Sequence, residues 1–144
     1  MGLHNMNEEL LMEVLSQSRK KYGCVSEIGR MTKELAEALS RNDKVSAQLL
    51  LEMRGEEMAK ADTCEKNIRL LVEEAGIQDR ERLECLLYRK GEYGKSEEES
   101  GQEAFLVKQI NDVNTKIRDI LKNAITVDKV VSKRMAGEES FYKE

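Results

Sequence analysis

Residues 105–135 read FLVKQINDVNTKIRDILKNAITVDKVVSKRM, and this stretch decides the fold. Leu106, Ile110, Val113, Ile117, Ile120, Ala124, Val127 and Val131 follow at alternating steps of four and three, with no polar residue in the seam. That spacing keeps an apolar stripe on one side of an α-helix, and such a stripe is stable only when other helices cover it. The expected fold is therefore all-α: an elongated antiparallel bundle of three long helices plus one short helix, packed in the manner of a coiled coil.

Composition agrees with the stripe. The 144 residues contain no Pro and no Trp, 36% are charged and 40% hydrophobic, which suits a single domain of long solvated helices. With aromatics at 4%, the core has to be built from Leu, Ile, Val, Met and Ala layers, which a narrow bundle can fill. The net charge of −4 argues against nucleic acid as a partner. No stretch approaches the ~20 consecutive apolar residues of a membrane span, so no membrane insertion is expected. The start, MGLHNMNEELL, has neither the basic region nor the long apolar run of a secretory signal. Cys24, Cys64 and Cys85 lie far apart without a CxxC pair, and an odd number cannot all pair within one chain. A reducing, cytoplasmic location is the expectation.

Outward from the deciding stretch, the other elements declare themselves by their ends. Asn5 or Asn7 is suited to cap a first helix over about 5–40, with Glu8 and Glu9 at its positive end. Leu11, Leu15, Ser18, Tyr22, Val25, Gly29, Thr32, Ala36 and Leu39 hold one register there, weakened by Ser18, Gly29 and Thr32. Gly23 and Gly29 predict a kink or a close crossing. Ile28, Met31 and Leu35 form a neighbouring apolar lane. Ser40-Arg-Asn-Asp43 reads as a tight break, with Asn42 or Asp43 capping a second helix over about 43–75 that Gly76 ends. Its expected seam is Leu50, Met53, Cys64, Ile68, Leu71 and Ala75, with Leu49 and Val72 beside it. Glu56 with Lys60, Asp62 with Lys66 and Glu65 with Arg69 are spaced as exposed ion pairs.

Asp79 is placed to cap a short helix over about 79–90, with Leu83, Leu86 and Leu87 inward. Residues 91–101 combine glycines with an acidic run and no apolar period, the signature of a mobile connection. Ser100 and Glu103 match a capping box for the last helix, over about 103–135, which ends near Gly137 with a short tail after it. A short break between two long helices makes them antiparallel neighbours, and the last helix lies along that hairpin. Three long helices make a thin bundle, which a second copy of the chain in a homodimer would thicken.

Chemistry is poorly provided for. The one histidine, His4, precedes the first helix, so neither His-dependent acid–base work nor a His-rich metal site is expected. Paired catalytic carboxylates need shelter that separates their pKa values, whereas most acids here alternate with Lys or Arg along helix faces. Gly91, Gly94 and Gly101 do not form a phosphate-binding loop. The expectation is a protein that is no enzyme and takes no cofactor and no metal.

What remains is surface. From Phe105 to Met135 seven basic residues face three acidic ones, a local +4 in an acidic chain. Val130, Val131 and Met135 carry apolar surface to the end of the helix, and Phe141 and Tyr142 follow where no core requires them. Together with Met6 and Met12 they would form an adaptable apolar surface suited to another protein's amphipathic helix. The bland alternative has them tucked onto the end of the bundle.

Three runs carry a family resemblance. Lys33-Glu-Leu-Ala-Glu-Ala-Leu-Ser-Arg-Asn-Asp43, then Leu49 to Met58, then Glu65-Lys-Asn-Ile-Arg-Leu-Leu71 resemble the central hairpin of FlgN-type flagellar export chaperones. Asn111-Asp-Val-Asn-Thr-Lys-Ile117, Ile120-Leu121 and Ser140-Phe-Tyr142 are similar to that family's last helix. The resemblance implies a cytoplasmic type III export chaperone that binds the C-terminal helices of secreted hook-filament junction proteins without using ATP. It places the binding surface on the last helix, where the expected contacts are Val127, Val130, Val131, Met135, Phe141 and Tyr142, rimmed by Lys129, Lys133 and Arg134. The competing reading is a homo-oligomeric coiled-coil scaffold or adaptor with no chaperone role.

Overall fold

The structure, a computed structural model, describes residues 7–88 and 101–143, with side chains described as far as Arg134. Four helices follow in order: α1 Glu8–Ser40, α2 Lys44–Glu74, α3 Ile77–Tyr88 and α4 Gly101–Lys143, with no strand among the described residues. The three long helices and the short one form the expected all-α bundle.

The helix ends follow from local chemistry. Asn7 caps α1, its Oδ1 accepting the Glu9 N–H at 2.8 Å, with Glu8 and Glu9 in the first turn. The chain reverses through Asn42, whose φ of 58° is the left-handed conformation Asn tolerates. Asp43 then caps α2 by accepting the Ser46 N–H at 3.0 Å. Hydrogen bonds from Ser46, its side chain first and its backbone N–H second, hold the Asp43 carboxyl below the usual carboxylate range. The break after α2 comes where Gly76 predicts it, but the turn is made by an extended Ala75 (ψ 155°) rather than by a left-handed glycine. The Arg80 guanidinium donates to the Glu73 carbonyl at 2.7 Å and satisfies an orphan acceptor of the α2 end.

The helices occupy the corners of a square. α1 packs against α2 and against α4, and α3 packs against α2 and α4. Across the diagonals, α1 with α3 and α2 with α4, no Cα atoms approach within 8 Å among the described residues. Three corners hold helices of 33, 31 and 43 residues, whereas α3, at the fourth, has 12. α3 fills its corner at one end only. There Leu11, Val14, Ile68, Leu83, Leu86 and Ile110 form the largest core cluster, drawn from all four helices. The middle is smaller, Val25, Ile28, Ala61 and Ile117. At the hairpin end the cluster is Leu35, Ala38 and Ala47, from α1 and α2 alone.

The three weak layers of α1 are where it meets the other long helices most specifically. Buried Asn114 donates to the Ser18 Oγ at 3.2 Å and to the Ile110 carbonyl at 2.9 Å. A Cβ on Gly29 would stand 2.8 Å from Ile120 Cγ2, so only glycine lets α1 and α4 cross this closely. Thr32 donates to the Ile28 carbonyl and accepts from Arg54, which also pairs with Asp128 of α4 at 2.9 Å. Gly23, by contrast, faces open space.

Several sequence expectations are corrected. The α4 seam is apolar as read, but polar Asn114 beside it is buried more deeply than Val113 of the seam. In α2 the buried line is Ala47, Ala61, Cys64, Ile68 and Val72, with the half-buried Arg54 on it, while Met53 and Leu49 are exposed; the seam lies one residue away from Met53 because the Arg54 side chain reaches across to Asp128. Lys60 pairs with Glu57 rather than Glu56, one turn back on the same face, and Arg69 with Glu65 as expected. Asp79 does not cap α3 but sits buried in its first turn. Helix α4 starts at Gly101, in left-handed conformation, and Glu103 is buried against Arg82 of α3. Helix α4 also continues through the expected tail to Lys143. Ser100, and the connection expected at 91–101 apart from Gly101, lie outside the described residues.

Candidate partner-binding surface

The first part of α4 is spent on the fold. Leu106, Val107, Ile110, Ile117 and Ala124 are buried. Beyond Ala124 the same stripe loses its cover: Val127 and Val131 are half-buried and Val130 is 49% exposed. The cause lies in the lengths of the elements. Eleven residues separate Gly29 from Ser40, and eleven residues beyond the facing Ile120 lead to Val131, with α4 continuing to Lys143. The parallel α1 therefore ends while α4 runs on for a further twelve residues, about three turns or roughly 18 Å at ~1.5 Å per residue.

The expected contact residues divide between two faces. Val127 lines a cleft between α1 and α4, with Gly29, Thr32 and Ile120. Lys129, Val130 and Lys133 line an open depression of about 570 Å³ on α4 with Ile125, itself 54% exposed. Lys129, Lys133 and Arg134 are exposed and none forms an ion pair among the described residues, where the adjacent Asp128 is taken by Arg54. Among the described residues the surface is thus an apolar strip with a basic margin that no acid neutralises. The side chains of Met135, Phe141 and Tyr142 lie outside the described residues, as does Met6, while Met12 is 56% exposed at the far end of the bundle from this strip.

Sequence reading missed the other wall. On α2, Val72, Glu65, Met58 and Leu51 fall at intervals of seven and so share one line. Val72 is buried, Met58 is 40% exposed and Leu51 44%. The signal was present as a heptad, but a reader of sequence places such a line inside the bundle.

Where α3 ends, it is pinned. The Tyr88 hydroxyl donates to Glu65 at 3.2 Å, Arg69 lies over the Tyr88 ring at 4.9 Å, and Arg118 donates to the Leu87 carbonyl at 3.1 Å. Burial, and secondarily Glu65, pushes the Tyr88 phenol well up. Burial likewise raises the Cys24 thiol, with Glu57 adding to it, and all three cysteines are free. No group of three His, Cys, Asp or Glu suited to a metal occurs among the described residues, and His4 lies outside them. No described helix is long and apolar enough to cross a membrane. No protein-family profile, curated protein or solved structure matches this chain.

Proposed function

We propose that this chain is a non-enzymatic, cytoplasmic export chaperone of the FlgN type, which captures the C-terminal helices of secreted hook-filament junction proteins during flagellar assembly. The observation that supports this reading is the unshielded distal strip of α4: exposed Val130 between half-buried Val127 and Val131, beside Lys129, Lys133 and Arg134 with no ion-pair partners among the described residues. A subunit awaiting secretion exposes amphipathic helices that self-associate, and a folded helix with spare apolar surface covers them reversibly. Capture by surface burial requires neither nucleotide nor metal.

The test is co-purification of a junction protein with the wild-type chain and with Val130→Asp/Val131→Asp. The double variant should lose capture while keeping its helicity, since Val130 is half exposed and Val131 contributes to no core cluster. Retained capture by the variant, or none by the wild type, contradicts the reading. A scaffold reading draws on a separate feature, the outward line Val45, Leu49 and Met53 on α2, exposed by 83%, 56% and 37%. Sedimentation separates the two: a dimer whose helicity falls on dilution favours the scaffold.

A further inference from the structure

The fourth corner of the square is filled for only part of its length. Two lines of side chains face it, one from each flanking helix. On α2 the line is Val72, Glu65, Met58 and Leu51; on α4 it is Val107, Arg118 and Ile125, at steps of eleven and seven that return to one face of a helix. Both lines begin buried under α3, with Val72 at 4% and Val107 at 2% exposure. Both meet the end of α3, through Glu65 to Tyr88 and Arg118 to Leu87. Past that end both become exposed, to 40% and 44% at Met58 and Leu51 and to 54% at Ile125. Apolar positions continue along lines that no helix covers among the described residues.

We propose that the lower part of this corner is a docking groove for an amphipathic helix of a partner protein, one with an apolar stripe and an acidic edge. Met58 and Leu51 form one wall, Ile125 and the half-buried Leu121 the other, and the Arg54–Asp128 pair ties the walls together at the floor. The occupant's charge follows from the rim. Lys122, Lys129 and Lys133 recur at steps of seven and four on the α4 side, are exposed, and have no ion pair among the described residues. On the α2 side Glu65 is already engaged by Lys21, Arg69 and Tyr88, while exposed Asp62, eleven residues from Leu51 on the same face, carries negative charge, so the acidic edge of the occupant lies toward α4. An acidic edge on the incoming helix would compensate the lysines, whereas a basic edge would be repelled. From Glu65 back to Lys44 the groove is long enough for a helix of about 20 residues at ~1.5 Å per residue. The proposal rests on the reading that the chain captures helices; it identifies the class of helix and seats it between α2 and α4, on a different side of α4 from Val127.

The probe is a fluorescent helical peptide of about 20 residues with a Leu stripe and Glu edges, together with a twin bearing Lys in place of Glu, each titrated against the full chain by anisotropy. The Glu peptide should bind and the Lys peptide should not. Met58→Asp/Ile125→Asp should weaken the Glu peptide by about tenfold or more with unchanged circular dichroism. Lys122→Glu/Lys129→Glu should weaken the Glu peptide and gain affinity for the Lys peptide, a reversal that loss of folding does not produce. Equal binding of the two peptides by the wild type, no binding of either, or Kd values indifferent to both double variants would overturn the proposal. So would slow alkylation of an Ile125→Cys variant in the free chain, which would mean that the groove is already filled by the chain itself or by a second copy. Binding of the Glu peptide in a chain that fails to capture a junction protein leaves the groove standing and removes the flagellar client.

Discussion

The two ends of this bundle are made of the same kinds of residue and differ in how many helices share them. At the α3 end, Leu83 and Leu86 complete a core to which four helices contribute, and the α2 and α4 lines facing α3 are dry. At the hairpin end, the cluster of Leu35, Ala38 and Ala47 joins two helices, and Leu51, Met58, Ile125 and Val130 stand in solvent. Apolar area costs about 25 cal/mol per Å² when left in water, so a chain that covers one end and not the other holds binding free energy in reserve at the open end. The difference teaches where to look for function: the buried core is concentrated around α3, and the proposed recognition lies where α3 is missing.

Breaking the comparison starts with the largest effect. Leu83→Ala or Leu86→Ala should cost about 2–5 kcal/mol in urea unfolding, as for a fully buried leucine, while Leu51→Ala should stay within about 0.5 kcal/mol. Similar losses at both ends would mean that the hairpin end is covered after all. Next comes the floor of the groove. Arg54→Ala should lose about 1–2 kcal/mol, because Thr32 and Asp128 lose a charged donor, whereas Arg54→Met, with similar reach and no charge to desolvate, should lose less. Equal losses for the two variants would show that packing rather than pairing holds the floor.

Glycines sharpen the contrast between crossing and open surface. Gly23→Ala should stabilise by up to about 1 kcal/mol through helix propensity, since nothing lies within 4 Å of the added methyl. Gly29→Ala should reverse the sign, because its methyl meets Ile120 at 2.8 Å. The smallest effect is the acid response of the hairpin turn. Asp43 has a folded pKa below its ordinary 3.8, so its contribution is present above that value and is lost as pH falls through the lower folded value. Asp43→Asn keeps a capping oxygen without a titrating one, and its far-UV signal should therefore change less than that of the wild type between neutral pH and strong acid.

Much of this was legible in the chain. Asn7 and Asp43 announce the starts of α1 and α2 because a cap is a contact between residues two or three apart. The alternating steps of four and three give α4 its inward face, and the lane Ile28, Met31 and Leu35 is buried as its spacing requires. The failures come from distant partners. Asn114 looks like surface until Ser18, 96 residues away, supplies its acceptor. Arg54 looks like surface beside a seam at Met53 until Asp128, 74 residues away, draws it inward. Ser18 and Thr32 read as defects in a stripe and are the polar contacts that fix its register. The candidate surface was half legible. Val130 and its lysines stand out as apolar and basic residues left over, whereas Met58 and Leu51 become a wall only once the length of α3 sets where cover stops.

The most direct test of the central claim, that the open corner beside α4 receives a partner's helix, is methyl NMR of the full chain titrated with the Glu-edged peptide. Shifts confined to Ile125, Leu121, Met58 and Leu51, with Leu83, Leu86 and Ile110 unmoved, are the predicted result. Shifts centred on the α3 end, or none at the open corner at saturating peptide, would contradict it.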